Sequence, residues 1–153
     1  MDLNALRAEV QVDPAGIGYA GHLPEAPGQV VELLNARVFS MPKATFISAR
    51  GVMSAAGLGP SAGARFMDKL EALAATVPEI KWALKFLQTE AGIDIGGADT
   101  QAILTSLIGA GGITAAEIDG IKAMAMQPAS RVELLFGDGA AVTEADLRAA
   151  GVV

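Results

Sequence analysis

Apolar residues recur at helical spacing along most of this chain. The clearest stretch runs from Ser61 to Gly92. Phe66, Leu70, Leu73 and Val77 fall at i, i+4, i+7 and i+11, one stripe of a helix, while Arg65, Asp68, Lys69 and Glu71 take the other side. Thr76 and Glu79 then match the T-x-x-E capping box, with Pro78 in the first turn, where its missing N–H costs nothing. The helix that follows is apolar over most of its circumference. Ile80, Ala83, Leu84 and Leu87 form one face, and Trp82 and Phe86, four apart, form another. Lys81, Lys85 and Gln88 leave only a narrow polar strip. Such a helix is expected to be enclosed on several sides, as the central core rod.

The remaining elements follow in order. Asp2 caps a first helix with Leu3, Leu6 and Val10 on one face, and Asp13-Pro14 stops it. A glycine-rich link, AGIGYAGHLPEAPG, leads to a second helix from about Pro27 to Asn35, with Val30, Leu33 and Leu34 inward. Arg37-Val38-Phe39-Ser40-Met41 is short, alternates and ends at Pro42, so it predicts a strand. A lone strand must pair with a distant loop or with another molecule, because unpaired buried backbone groups are costly. The pattern predicts a further helix from about Thr45 to Ala56, before the breaker Gly57-Leu58-Gly59-Pro60.

Beyond Gly92, the loop IDIGGAD has no period, and Asp99 is positioned to cap a helix carrying Ile103, Leu104, Leu107 and Ile108. Two later helix starts share one design. Thr114 with Glu117, and Thr143 with Asp146, form capping boxes, stapled by Ile113 with Ile118 and by Val142 with Leu147. Ser130 and Glu133 form a third box, opening a short helix that Gly137 stops. A hairpin turning at Asp138-Gly139 is the alternative for 131–142.

Together these elements predict an all-α fold. Residues 1–153 are read as a single compact domain of about seven helices, with at most one short strand pairing near 37–41. Its parts are an N-terminal helix and glycine link (1–21), a helix, strand and helix (22–60), the central pair (61–92) and short capped helices (93–153).

Composition narrows the function. The 153 residues are 52% hydrophobic and 18% charged, which argues against disorder. A net charge of −6 argues against tracking nucleic-acid phosphates or reading their sequence. Mean hydropathy is +0.42, yet no run approaches the roughly 18–20 apolar residues of a membrane span. The start MDLNALRAEV has neither the basic segment nor the apolar run of a signal peptide. The surplus hydrophobicity is instead assigned to subunit contacts. There is no cysteine, which removes disulfides, thiolate catalysis and thiolate metal sites, and fits an intracellular origin.

The candidate chemistry is thin. Gly16, Gly18 and Gly21 match G-x-G-x-x-G, but the dinucleotide fingerprint needs a preceding strand, and a helix precedes here. His22 is the only histidine, with no second imidazole to share a metal. Asp94 and Asp99 share a loop that lacks the dense spacing of a calcium site, so turn and capping roles are expected. Glu79, Glu117, Glu133 and Asp146 are assigned to caps, and Ser54 and Ser61 sit in no G-x-S-x-G elbow. The chain is therefore read as a non-enzyme with no cofactor and no metal.

Three segments carry a resemblance. They are Ala5-Leu6-Arg7-Ala8-Glu9 with Asp13-Pro14 and Gly18-Tyr19-Ala20-Gly21; Glu32-Leu33-Leu34-Asn35-Ala36-Arg37 with Pro42; and Pro128-Ala129-Ser130-Arg131-Val132-Glu133-Leu134-Leu135 leading to Val142-Thr143. In these the chain resembles small uncharacterised proteins encoded in the structural gene blocks of tailed bacteriophages. Leu23-Pro24-Glu25-Ala26-Pro27 departs from the pattern, in which a polar residue caps the second helix. The resemblance implies a virion component near the head–tail junction or in the tail, made in the host cytoplasm and assembled with copies of itself and other virion proteins. It carries no catalytic residues. Arg37, Val38, Phe39, Ser40 and Met41 are the candidate interaction segment, through strand addition. The alternative from another class is a soluble bacterial helical enzyme or small-ligand protein using the Gly16–Gly21 or Asp94–Asp99 loop.

Overall fold

The computed structural model describes residues 1–54 and 58–153. It is mostly helical, and the described residues form nine α-helices and two short two-stranded sheets. They divide into two compact units: Met1–Met41 with Pro128–Val153, and Pro42–Gln127.

The first unit is built from both outer segments of the chain. Helix α1 (Leu3–Val12) is capped by the Asp2 carboxylate, which accepts from the N–H groups of Asn4 and Ala5. It stops at Asp13, whose φ of 47° is left-handed. Helix α2 (Pro27–Asn35) follows, starting at a proline that needs no N–H partner, and buries Val30 and Leu34. From the far end of the chain come α8 (Arg131–Phe136) and α9 (Glu144–Ala149). Leu6, Val10, Tyr19, Val30, Leu34 and Leu147 lead one core shared by all four helices. Both capping boxes predicted here are present, at Ser130 with Glu133 and at Thr143 with Asp146. The hairpin alternative for 131–142 gives way to the helix, because Glu133 closes the box and Gly137 takes the positive φ at the stop.

Strand β1 (Phe39–Pro42) lies close to the predicted segment, and its partner belongs to the same chain: it pairs with β4 (Met126–Ala129).

The second unit has its own core, led by Phe66, Leu70, Ile80, Leu87, Ile118 and Ile121. Its elements are β2 (Phe46–Ile47), α3 (Ala49–Val52), α4 (Pro60–Ala74), α5 (Pro78–Leu87), β3 (Ile93–Asp94), α6 (Ala98–Ser106) and α7 (Ala115–Ala123). The Thr114–Glu117 box opens α7 as predicted, and Ile113 and Ile118 are both buried.

Five expectations fail in this unit. The predicted helix from Thr45 begins instead as a strand: β2 runs antiparallel to β3, pairing Phe46 with Asp94 and Ile47 with Ile93. The Asp94 carboxylate accepts from the Thr45 N–H, and the Thr45 carbonyl accepts from Ile95, so this backbone is held away from a helix. Only the four-residue α3 forms, capped by Ser48; the predicted end at Ala56 lies outside the described residues. A second strand pairing therefore exists where at most one was expected. It depends on Gly96, where a Cβ would overlap the Lys43 carbonyl.

The Thr76–Glu79 box does not form. Pro78 sets the residue before it extended, so Val77 becomes the N-cap, and the Thr76 hydroxyl donates to the Leu73 carbonyl. Helix α6 starts after Gly97, which leaves Asp99 in its first turn rather than at its cap. Finally, α5 is not an enclosed rod. It buries Ile80 and Leu87, but Trp82 and Phe86 are each 57% exposed.

Candidate functional site

In the first unit the polar residues of the three resembling segments come together. Glu9 lies among the apolar positions of α1, beside Leu6 and Val10, and is 4% exposed. Arg131, in the first turn of α8, donates to both its oxygens, through Nε at 2.6 Å and Nη2 at 2.8 Å. The fully buried Tyr19 hydroxyl donates to Glu9 Oε1 at 3.5 Å. Burial, reinforced by the Glu9 charge, pushes the Tyr19 phenol far above its ordinary value. The Glu9 carboxylate raises the Arg131 guanidinium further, so that charge is permanent.

One residue before Arg131, the Ser130 cap continues the network. Glu133 is buried; its carboxylate accepts from the Ser130 and Gly139 N–H groups and pairs with Arg37 Nε at 3.5 Å. Asn35 ties α2 to the start of α9 by exchanging two hydrogen bonds with the Val142 backbone, at 2.8 and 3.0 Å. These contacts use up hydrogen-bonding capacity inside the unit. Their chemistry is that of a clamp between the two ends of the chain.

The G-x-G-x-x-G loop does a similar internal job. Asp13 accepts from the N–H groups of Ile17 and Gly18, at 2.7 and 2.6 Å. The amides that a phosphate would need are thus turned to a carboxylate of the chain itself. The Gly18 hydrogen bond, foremost among several, holds Asp13 below its ordinary value. Asp94 repeats the arrangement, accepting from Thr45 and Gly96 at 2.8 and 2.9 Å, and it too is held low, chiefly by Thr45. The turn role expected of Asp94 is thereby seen, Asp13 makes the same kind of turn where α1 stops, and the cap expected of Asp99 falls to Gly97. His22 is half-buried in a 3-10 turn, Tyr19–His22. Among the described residues, no three histidine, aspartate or glutamate side chains converge as a metal site.

The candidate interaction segment is partly covered. Phe39 and Met41 are half-buried, Ser40 is exposed, Arg37 is engaged with Glu133, and Val38 is 75% exposed. A stronger apolar surface lies in the second unit, on α5, where the sequence pattern predicts interior. Trp82 and Phe86 share one face there, and Lys85 Nζ sits 4.2 Å from the Trp82 ring centroid. The same unit exposes Phe46 at 69% and contains an apolar cavity of about 90 Å³ beneath α5 and α6.

Sequence reasoning missed the Glu9–Arg131 pair. The available signal was a lone carboxylate among inward-facing positions of an amphipathic helix, which requires a buried counter-charge. Nothing local names that partner, which lies 122 residues away.

No protein family, curated protein or solved structure matches this chain.

Proposed function

We propose that this protein is a structural component of a tailed-bacteriophage particle, a head–tail connector, adaptor or tail protein, present in several copies that meet through apolar surface. The observation that carries the reading is the exposed Trp82–Phe86 face of α5. Large aromatics are costly to leave in water and are enriched where protein surfaces dock. A helix that keeps Ile80 and Leu87 for its own core and turns two aromatics outward has a second apolar face to satisfy. The resemblance of segments 5–21, 32–42 and 128–143 to phage structural-block proteins supports the same reading. Those segments fall almost wholly in the first unit, whereas the exposed aromatics belong to the second.

The test joins location with assembly. The protein should be detected by mass spectrometry in purified particles, and the isolated chain should sediment as a concentration-dependent oligomer. The double substitution Trp82→Glu, Phe86→Glu should hold the chain monomeric with its helical circular dichroism intact. Absence from particles, or a monomer at every concentration, ends the proposal.

A further inference from the structure

We propose that the cavity of the second unit is a binding site for a small uncharged apolar group, either a free hydrocarbon-like molecule or the end of an alkyl chain. The inference is independent of virion assembly and rests on the cavity alone.

The cavity measures about 90 Å³. One water requires only roughly 10–15 Å³, so the space is large enough to be filled by something. Its floor is apolar: Ile47, Phe66, Leu70, Ile80, Leu87 and Ile121 line it, and all are buried. Water needs two to four polar partners to settle in such a space, and among the described residues the only charged or hydroxylic side chains at the lining are Glu79 and Thr100. Both lie toward the rim, Glu79 exposed and Thr100 half-buried. The interior therefore favours a hydrocarbon over water. An engineered cavity of about 150 Å³ with a similar lining takes up benzene or xenon, which places the ligand here at or below the size of one aromatic ring.

Two features of the sequence make the space. Ile80, Ala83, Leu84 and Leu87 face inward from α5, and Ala83 is the smallest of them, so the wall is recessed at its centre. Across the cavity stands α6, none of whose residues is fully buried. Its Ile103 lines the cavity and is nonetheless 44% exposed, which puts it at the mouth. A helix packed this loosely can yield to admit a ligand and then be tightened by it. The Glu79 carboxylate at the rim disfavours anions, so an alkyl group enters without a carboxylate beside it.

The experiment is an amide NMR titration of the full chain with benzene, with octyl glucoside below its critical concentration, and with sodium hexanoate, alongside thermal melts. Benzene or octyl glucoside should give saturable shifts confined to α5, α6 and the β2–β3 pair, and should raise Tm. Benzene alone marks a site for free small molecules, and octyl glucoside marks one for chain ends. Hexanoate should bind at least tenfold more weakly, and Glu79→Gln should narrow that gap. Ala83→Leu, which fills the recess, should weaken benzene binding at least tenfold. Ile103→Trp, which obstructs the mouth, provides the same test if Ala83→Leu does not fold. The proposal is overturned if neither uncharged probe gives saturable shifts, if the shifts spread equally over the first unit, if hexanoate binds as well as benzene, or if a folded obstructing variant binds undiminished.

Discussion

A carboxylate taken out of water must be met by a counter-charge, and Glu9 is met on both oxygens by one guanidinium. Removing a single partner strands the other. Arg131→Met is expected to cost about 3–5 kcal/mol, lowered somewhat because the Arg131 side chain retains 20% exposure. The double change Glu9→Met, Arg131→Met leaves no stranded charge and should recover part of that loss, the rest being the buried Tyr19 hydroxyl that loses its acceptor. Urea titrations of the two single variants and the double variant measure the coupling directly. Trp82 behaves in the opposite way. With its ring largely in water and Lys85 over it, Trp82→Ala should cost no more than about 1 kcal/mol, the scale of an exposed cation–π contact. A loss several times larger would place the ring in a core after all. The aromatic was legible as a helix position but its side was not, because α5 has two apolar faces and only the rest of the fold selects the inner one.

Among elements, the best-read features are the helix starts whose side chains close on their own backbone. The side chains of Thr114, Ser130 and Thr143 each accept from the N–H three residues on, and each residue's own N–H donates to the carboxylate there. Such contacts need only a few consecutive residues, so the sequence displays them whole. Thr76 shows how the rule fails: a proline two residues later moved the cap by one place, and the box lost its register. The strand pair β2–β3 was illegible for a different reason. Its partners are two residues long and lie nearly fifty apart, and its enabling feature is a glycine whose missing side chain makes room for a carbonyl. Ser130→Ala should cost about 1–2 kcal/mol and Thr143→Ala about 0.5–1 kcal/mol, because the first box is buried and the second is exposed. Thermal melts of the two variants give the ordering, and equal losses would remove the role assigned to burial.

For the molecule as a whole, acid is the informative stress. Asp13, Asp94, Glu117 and Asp146 are all held below their ordinary values, by backbone amides for the first two, by Lys69 foremost for Glu117, and by Thr143 for Asp146. A carboxylate depressed on folding favours the native state above its unfolded pKa and stops doing so as pH falls through the native one. Stability should accordingly be level at neutral pH and decline as the pH drops below the ordinary values of 4.5 for glutamate and 3.8 for aspartate. Urea midpoints from pH 7 to 2 follow this, and Asp13→Asn with Asp94→Asn should flatten the decline. The mostly helical character was legible, since periodicity is a short-range signal, except at 45–48, where a strand replaces the helix. The division into two units was not, because Leu6 and Leu147 share a core while the residues between them include an entire second one.

That interleaving has a bearing on how the polypeptide emerges from a ribosome. Helices α1 and α2 leave the exit tunnel first, but the apolar surface they must cover is completed only when residues 128–153 follow. At roughly 5–20 residues per second, the opening segment waits several seconds with Tyr19 and Glu9 lacking their final neighbours. The middle of the chain is under no such delay. A nascent chain tethered by a linker long enough to bring residue 127 clear of the tunnel should therefore be protease-resistant over 42–127 and cleavable before it.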